Sequence, residues 1–194
     1  MDNIIKAIKL IETKTSNPKW INGLDPRKKE EADFHDFQHD HSTELGNEKF
    51  YKTTSLSSDY FDKWLKLNVK DKVVLDYACG NGDIAYQSIK YGAKFISGID
   101  ISPGSITNCN VLFKEKNVAE NKYRFFVGDC ENTELPSDSF DVIICSGMLH
   151  HLNLDFAYPE MNRILKKGGK IIAVEALDYN PFIKIYRMLT PAMR

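Results

Sequence analysis

From Lys72 onward the chain alternates short apolar, β-branched runs with stretches of helical periodicity: KVVLDY, GDIAYQSIKYG, AKFISGID, PGSITNCNVLFKEKN and YRFFVGD. That order, strand, helix, strand, helix, strand, leaves few foldable arrangements. A strand joined to the next through a crossover helix pairs with it in parallel and lays the helix over a face of the sheet. SFDVIICS continues the series as a fourth strand, a helix ends near Leu165-Lys166-Lys167-Gly168, and GKIIAVEA supplies a fifth strand. The expectation is an α/β fold: a doubly wound, mostly parallel sheet with helices on both faces. Gly92 and Gly168 read as helix C-terminal stops.

Residues 1–70 have a different texture, with an amphipathic segment from Ile4 to Lys14, a break at NPKWINGLDP, a polar stretch from Arg27 to Ser42 and no obvious strand. They are expected to form a helical cap or lid on the α/β unit of residues 71–194, the two making one structural domain. A chain of 194 residues is long enough to bury one substantial core.

Charge and composition narrow the classes of function. Lys and Arg number 26 against 27 Asp and Glu, a net charge of -1, which provides no general attraction to a phosphate backbone. Nucleic acid is therefore not an expected partner. No apolar run approaches the ~18 residues of a membrane span, and MDNIIKAIKLIE lacks the continuous apolar core of a secretory signal. Neither a membrane nor secretion is expected. Cys79, Cys109, Cys130 and Cys145 show no paired CxxC spacing, so neither a zinc site nor a disulfide framework is indicated, and free thiols in a reducing cytoplasm fit best.

The first strand runs into Gly80-x-Gly82-x-x-Ala85, the spacing of a nucleotide-binding turn in which bare backbone approaches a ligand at the carboxyl edge of a sheet. Asp100 ends the second strand 24 positions after Asp76, where a doubly wound domain places an acid for both ribose hydroxyls. Asp129 follows the third strand, and a carboxylate there can accept from an adenine amino group. Three strand ends thus converge on an adenosine-sized pocket.

LDYACGNG, GID, GDCENTELPSDSFDVIICSGMLHHL and RILKKGGKIIAVEAL, taken in order, resemble the successive motifs of class I S-adenosylmethionine-dependent methyltransferases, over roughly Tyr51 to Glu175. The resemblance implies a Rossmann-like domain that binds S-adenosyl-L-methionine. It implies that Asp76, Ala78, Gly80 and Gly82, with Cys79, line the methionine part. Asp100 with Ile101 would meet the ribose, Asp129 with Cys130 the adenine, and Cys145 with Ser146 the sulfonium and the incoming substrate. Ala78 stands where many members carry glycine. Such proteins usually continue into an antiparallel strand pair, which is missing after Glu175, where ALDYNPFIKIYRMLTPAMR reads as one more helix. The chain then resembles a truncated form, whose open sheet edge a partner chain, a second copy or further sequence has to cover.

The function this implies is transfer of a methyl group to an oxygen, nitrogen or carbon acceptor on a small molecule. Displacement at a sulfonium is driven largely by alignment, and a hydroxyl acceptor adds a need for a general base. His150 and His151, after the fourth strand, are the catalytic candidates, against a plain packing role. His35 and His39 would share a helix face near His41, but the expected metal is none, because methyl transfer needs none and a substrate-covering helix explains the segment. Phe34, Phe37, Phe50, Tyr51, Tyr60 and Trp64 read as an aromatic inner face of that cover or as helix packing. Two other readings share part of the pattern. A nicotinamide dehydrogenase would use Gly80, Gly82 and Asp100 but gives Asp129 no role, and a catalytically silent cofactor-binding subunit would bind without turnover.

Overall fold

The structure, a computed structural model, describes residues 1–40 and 55–175, the backbone alone at 37–40 and 55. His41, Phe50, Tyr51 and the helix expected after Glu175 lie outside the described residues, as do the side chains of Phe37 and His39. Among the described residues four helices come first, α1 (Asp2–Thr15), α2 (Pro18–Asn22), α3 (Pro26–Asp40) and α4 (Ser55–Asn68). The α/β series follows: β1 (Val73–Tyr77), α5 (Asp83–Lys90), β2 (Phe95–Asp100), α6 (Pro103–Glu115), β3 (Tyr123–Val127), β4 (Phe140–Ser146), α7 (Leu154–Ile164) and β5 (Leu165–Val174).

The five strands lie in the order β3-β2-β1-β4-β5, and every neighbouring pair is parallel. The α/β expectation therefore holds. β1 and β2 are buried along their whole length, because helices cover both faces, so their sequences read as unbroken apolar runs rather than alternating ones. Alternation survives in which face each side chain joins. Val73, Leu75 and Tyr77 enter a core with α1 and α7, whereas Val74 enters a second core with α4, α5 and α6.

The N-terminal helix is part of this structure. Ile4, Ile8 and Ile11 recur at helical spacing on α1 and are all buried in the first core, with α1 lying against β3. Leu65 and Val69 at the end of α4 do the same on the opposite face. The break expected at NPKWINGLDP contains the short α2, started by Asn17, whose side chain accepts from the Lys19 N–H at 2.9 Å.

Gly92 follows α5 with φ +86 and behaves as a stop, but Gly168 does not. α7 passes straight into β5 at Leu165. Opposite β5, β4 advances from Phe140 to Val142 while β5 advances from Leu165 to Lys170, so the extra residues bulge out of register and Gly168, at φ +78, absorbs the turn. The reversal of strand order falls between β1 and β4. Their carboxyl ends open a crevice there, the place where open α/β sheets take ligands.

Candidate cofactor site

The turn after β1 forms the floor of the crevice. Gly82 begins α5 at φ +84, and a Cβ there would stand 2.9 Å from Cys109 Sγ, so both its conformation and its surroundings call for glycine. The Gly80 N–H donates to Asp100 Oδ2 at 2.9 Å, and Asp100 Oδ1 accepts from the Ser102 N–H at 2.9 Å. The acid ending β2 is thereby fixed against the glycine turn. Ser102 in turn caps α6, accepting from Ser105 N–H, with Pro103 in the first helical position.

Asp129 lies just past β3, its Oδ1 held by the Glu131 N–H at 2.8 Å, and the neighbouring Cys130 carbonyl accepts from the buried Tyr77 hydroxyl. Ser146, which ends β4, and Gly147 and Met148, which follow it, close the third side. The crevice encloses about 200 Å³. Of the residues singled out in the sequence, His35, Ala78, Gly80, Asp100, Ile101, Asp129, Cys130, Ser146 and His151 line it together.

The other candidates lie elsewhere. Cys145 is fully buried with its Sγ 3.6 Å from Met161 Sδ, so it packs the core instead of facing the crevice; Ser146 has that role, since successive side chains of a strand point to opposite sides. Cys79 lies beneath the turn, 3.7 Å from Cys109 Sγ. Burial pushes the Cys145 thiol up to about 12 and raises those of Cys79 and Cys130 well above the usual range, which keeps all three protonated and unreactive. Asp76 is 2% exposed, and its Oδ2 has no hydrogen-bond partner among the described residues. Burial raises its carboxyl to about 8, the Ala85 N–H pulls it down, and the Asp100 and Asp83 charges add to the rise.

Helix α3 spans the opening. Arg27, Lys28, Glu31 and His35 recur on one helical face and all line the crevice. Lys28 Nζ lies 2.7 Å from Asp129 Oδ2 and 2.8 Å from Glu131 Oε2, while Arg27 reaches Glu131 Oε1 at 2.5 Å and the His151 carbonyl. Asp36 accepts from Ser102 Oγ at 2.5 Å and from the Gly104 N–H at 3.0 Å, tying α3 to the start of α6. Burial would lower the Lys28 ammonium, but its two acidic partners outweigh that and hold it above the usual lysine value. Glu131 is likewise pulled below the usual carboxylate range: burial opposes this, and Lys28, the Asn153 N–H and Arg27 prevail. None of these lid contacts was foreseen, although the 27/28, 31, 35 spacing was visible in a segment read as a substrate cover or, at His35 and His39, as a candidate metal clamp.

The two histidines part company. His150 Nδ1 pairs with Glu175 Oε2 at 2.9 Å and the residue is not part of the crevice lining, while Glu175 Oε1 also accepts the Met148 and Leu149 N–H groups. His151 lines the crevice, and its Nδ1 lies 3.0 Å from Glu31 Oε1 on the lid. An ionised carboxylate can only accept, so Nδ1 is the donor in this contact and Nε2 is the ring nitrogen left outside it. Phe34 and Tyr60 are exposed and Trp64 packs on the second core, so the described aromatics form no continuous inner face.

The acceptors here suit a ligand bearing an ammonium group, ribose hydroxyls and an adenine amino group. Among the described residues the cations of the lining, Arg27 and Lys28, are already paired with acids. Residues 74–169 match the family model for a methyltransferase domain. Ribosomal protein L11 methyltransferase of Haemophilus influenzae is 31% identical over 121 residues, which cover 62% of this chain and 38% of that protein. Sterol 4-C-methyltransferase strm-1 of Caenorhabditis elegans is 29% identical, over 61% of this chain and 36% of its own length. Among solved structures, the YcgJ protein of Bacillus subtilis superposes with a TM-score of 0.58 at 26% identity, covering 69% of this chain and 58% of that one. The chain thus spans well under half the length of these curated relatives. With glycine turn, strand-end acids and sheet order in agreement, residues 74–169 form a methyltransferase domain of the class I S-adenosylmethionine-dependent type.

Proposed function

We propose that the crevice binds S-adenosylmethionine and that the chain transfers its methyl group to a small-molecule acceptor. The observation that carries this reading is the joint placement of Asp100, pinned to the Gly80 N–H, and Asp129 in the lining of one cavity. Asp100 would accept from the ribose hydroxyls, Asp129 from the adenine amino group, and the turn from Ala78 to Gly82 would hold the methionine part above Asp76. When bound, the cofactor supplies a methyl group on a sulfonium, a leaving group already activated for in-line displacement. The chain's own task is alignment and exclusion of water. Ser146, Gly147 and Met148 border the place where an acceptor would lie. His151, oriented by Glu31, would take up the proton of a hydroxyl or amine acceptor at Nε2.

Asp100→Ala tests the site. Removing the ribose acceptor should weaken S-adenosylmethionine binding by about 1 to 3 kcal/mol in titration calorimetry, and unchanged affinity would sink the assignment. The enclosed shape under α3 supports a small acceptor over a protein one. Incubation with methyl-labelled cofactor and cell extract separates the two: label is expected in the small-molecule fraction, and label confined to protein would overturn that choice.

A further inference from the structure

We infer that Lys28 is an internal competitor for the cofactor: its ammonium holds on Asp129 the acceptor position that the adenine amino group takes, so this one lid side chain sets cofactor affinity. The inference rests on the cofactor reading above. Asp129 has two carboxylate oxygens. Oδ1 is engaged by the Glu131 N–H at 2.8 Å, and Oδ2 by Lys28 Nζ at 2.7 Å. An ammonium and an adenine amino group are both donors to the same acceptor, and the Lys28 and Asp129 side chains are each only 17% exposed, so solvent does little to weaken the contact.

Volume points the same way. Pockets that enclose ligands of this size run from ~300 to ~1,000 Å³, whereas the crevice with Lys28 in it encloses about 200 Å³. Binding therefore requires a lining side chain to withdraw. Lys28 can do so without being stranded as an unpaired charge, because Glu131 Oε2 lies 2.8 Å from the same nitrogen. The lid need not leave with it. Arg27 keeps Glu131 and the His151 carbonyl, Glu31 keeps His151, and Asp36 keeps the start of α6. The event is a swing of one ammonium from a shared position between two acids to one of them, beneath a helix that stays docked.

Lys28→Met keeps most of the aliphatic stem and deletes the charge. Calorimetric titration of wild type and variant with S-adenosylmethionine, and separately with S-adenosylhomocysteine, reads the effect. Both ligands carry the same adenine, so both should bind roughly three- to tenfold more tightly to the variant, as expected when a state that blocks the site is removed. Equal or weaker binding by a variant that melts cooperatively overturns the inference, as does a gain for only one of the two ligands. If neither protein binds either ligand, the cofactor reading itself fails, a result distinguishable from wild-type binding that Lys28→Met leaves unchanged. Should the methionine variant not fold, Lys28→Gln removes the same charge and is held to the same outcomes.

Discussion

Ala78 occupies a left-handed backbone conformation, φ +56, in the turn that floors the crevice. For a residue with a Cβ that conformation costs ~1–2 kcal/mol, partly offset by the extra freedom glycine brings to the unfolded chain. Ala78→Gly should accordingly stabilise the protein by up to about 1 kcal/mol in denaturant unfolding, and a loss would mean that the alanine methyl makes a compensating contact. Asp76 makes a second prediction at this scale. Its folded-state carboxyl is raised to about 8 from an ordinary 3.8, so its contribution to stability is full below about pH 4 and is lost as pH rises toward 8. The wild-type melting temperature should fall between pH 5 and pH 8 and Asp76→Asn should flatten that fall; a parallel fall in both would refute the assignment. Asp100 and Asp129 were legible in the sequence because an acid closing an apolar run marks a strand end. Cys145 was misplaced for an equally physical reason: adjacent residues at a strand end face opposite ways, and only the fold reveals which of Cys145 and Ser146 meets the crevice.

Helices α1 and α3 share the N-terminal segment and have unlike tasks. α1 carries three buried isoleucines, a pattern readable at helical spacing, and Ile8 is wholly buried. Ile8→Ala should cost about 2–5 kcal/mol by calorimetry or chemical denaturation, the range for emptying a core position. α3 carries little apolar periodicity, so its polar sequence announced a helix or loop without saying what it touches. Its attachments are charged side chains meeting partners more than 60 positions away, such as Asp36 with Ser102 and Lys28 with Asp129, and no local pattern encodes such pairings. The strand and helix order from Lys72 was legible because period and glycine placement are local properties. The bulge at the start of β5 was not, because it answers the register of β4.

Across the whole molecule, acid should act on several ties together. Glu131, Asp141, Glu160 and Glu175 all sit below their usual values: burial opposes the shift in each, and N–H or cationic partners outweigh it. Depressed carboxyls contribute stability above their unfolded values, near 4, and lose it as pH falls through the folded ones. The melting temperature should thus drop steeply below about pH 4.

The two cores on either side of the sheet have a practical consequence. Residues 74–169, the stretch matched as a methyltransferase domain, leave out α1, α4 and most of the paired part of β5, so one sheet face loses Ile4, Ile8 and Ile11 and the other Leu65 and Val69. Ancestry is readable over a shorter stretch than the one that closes its own interior, and a fragment cut for expression has to follow the buried surface and keep the helices that comparison passes over.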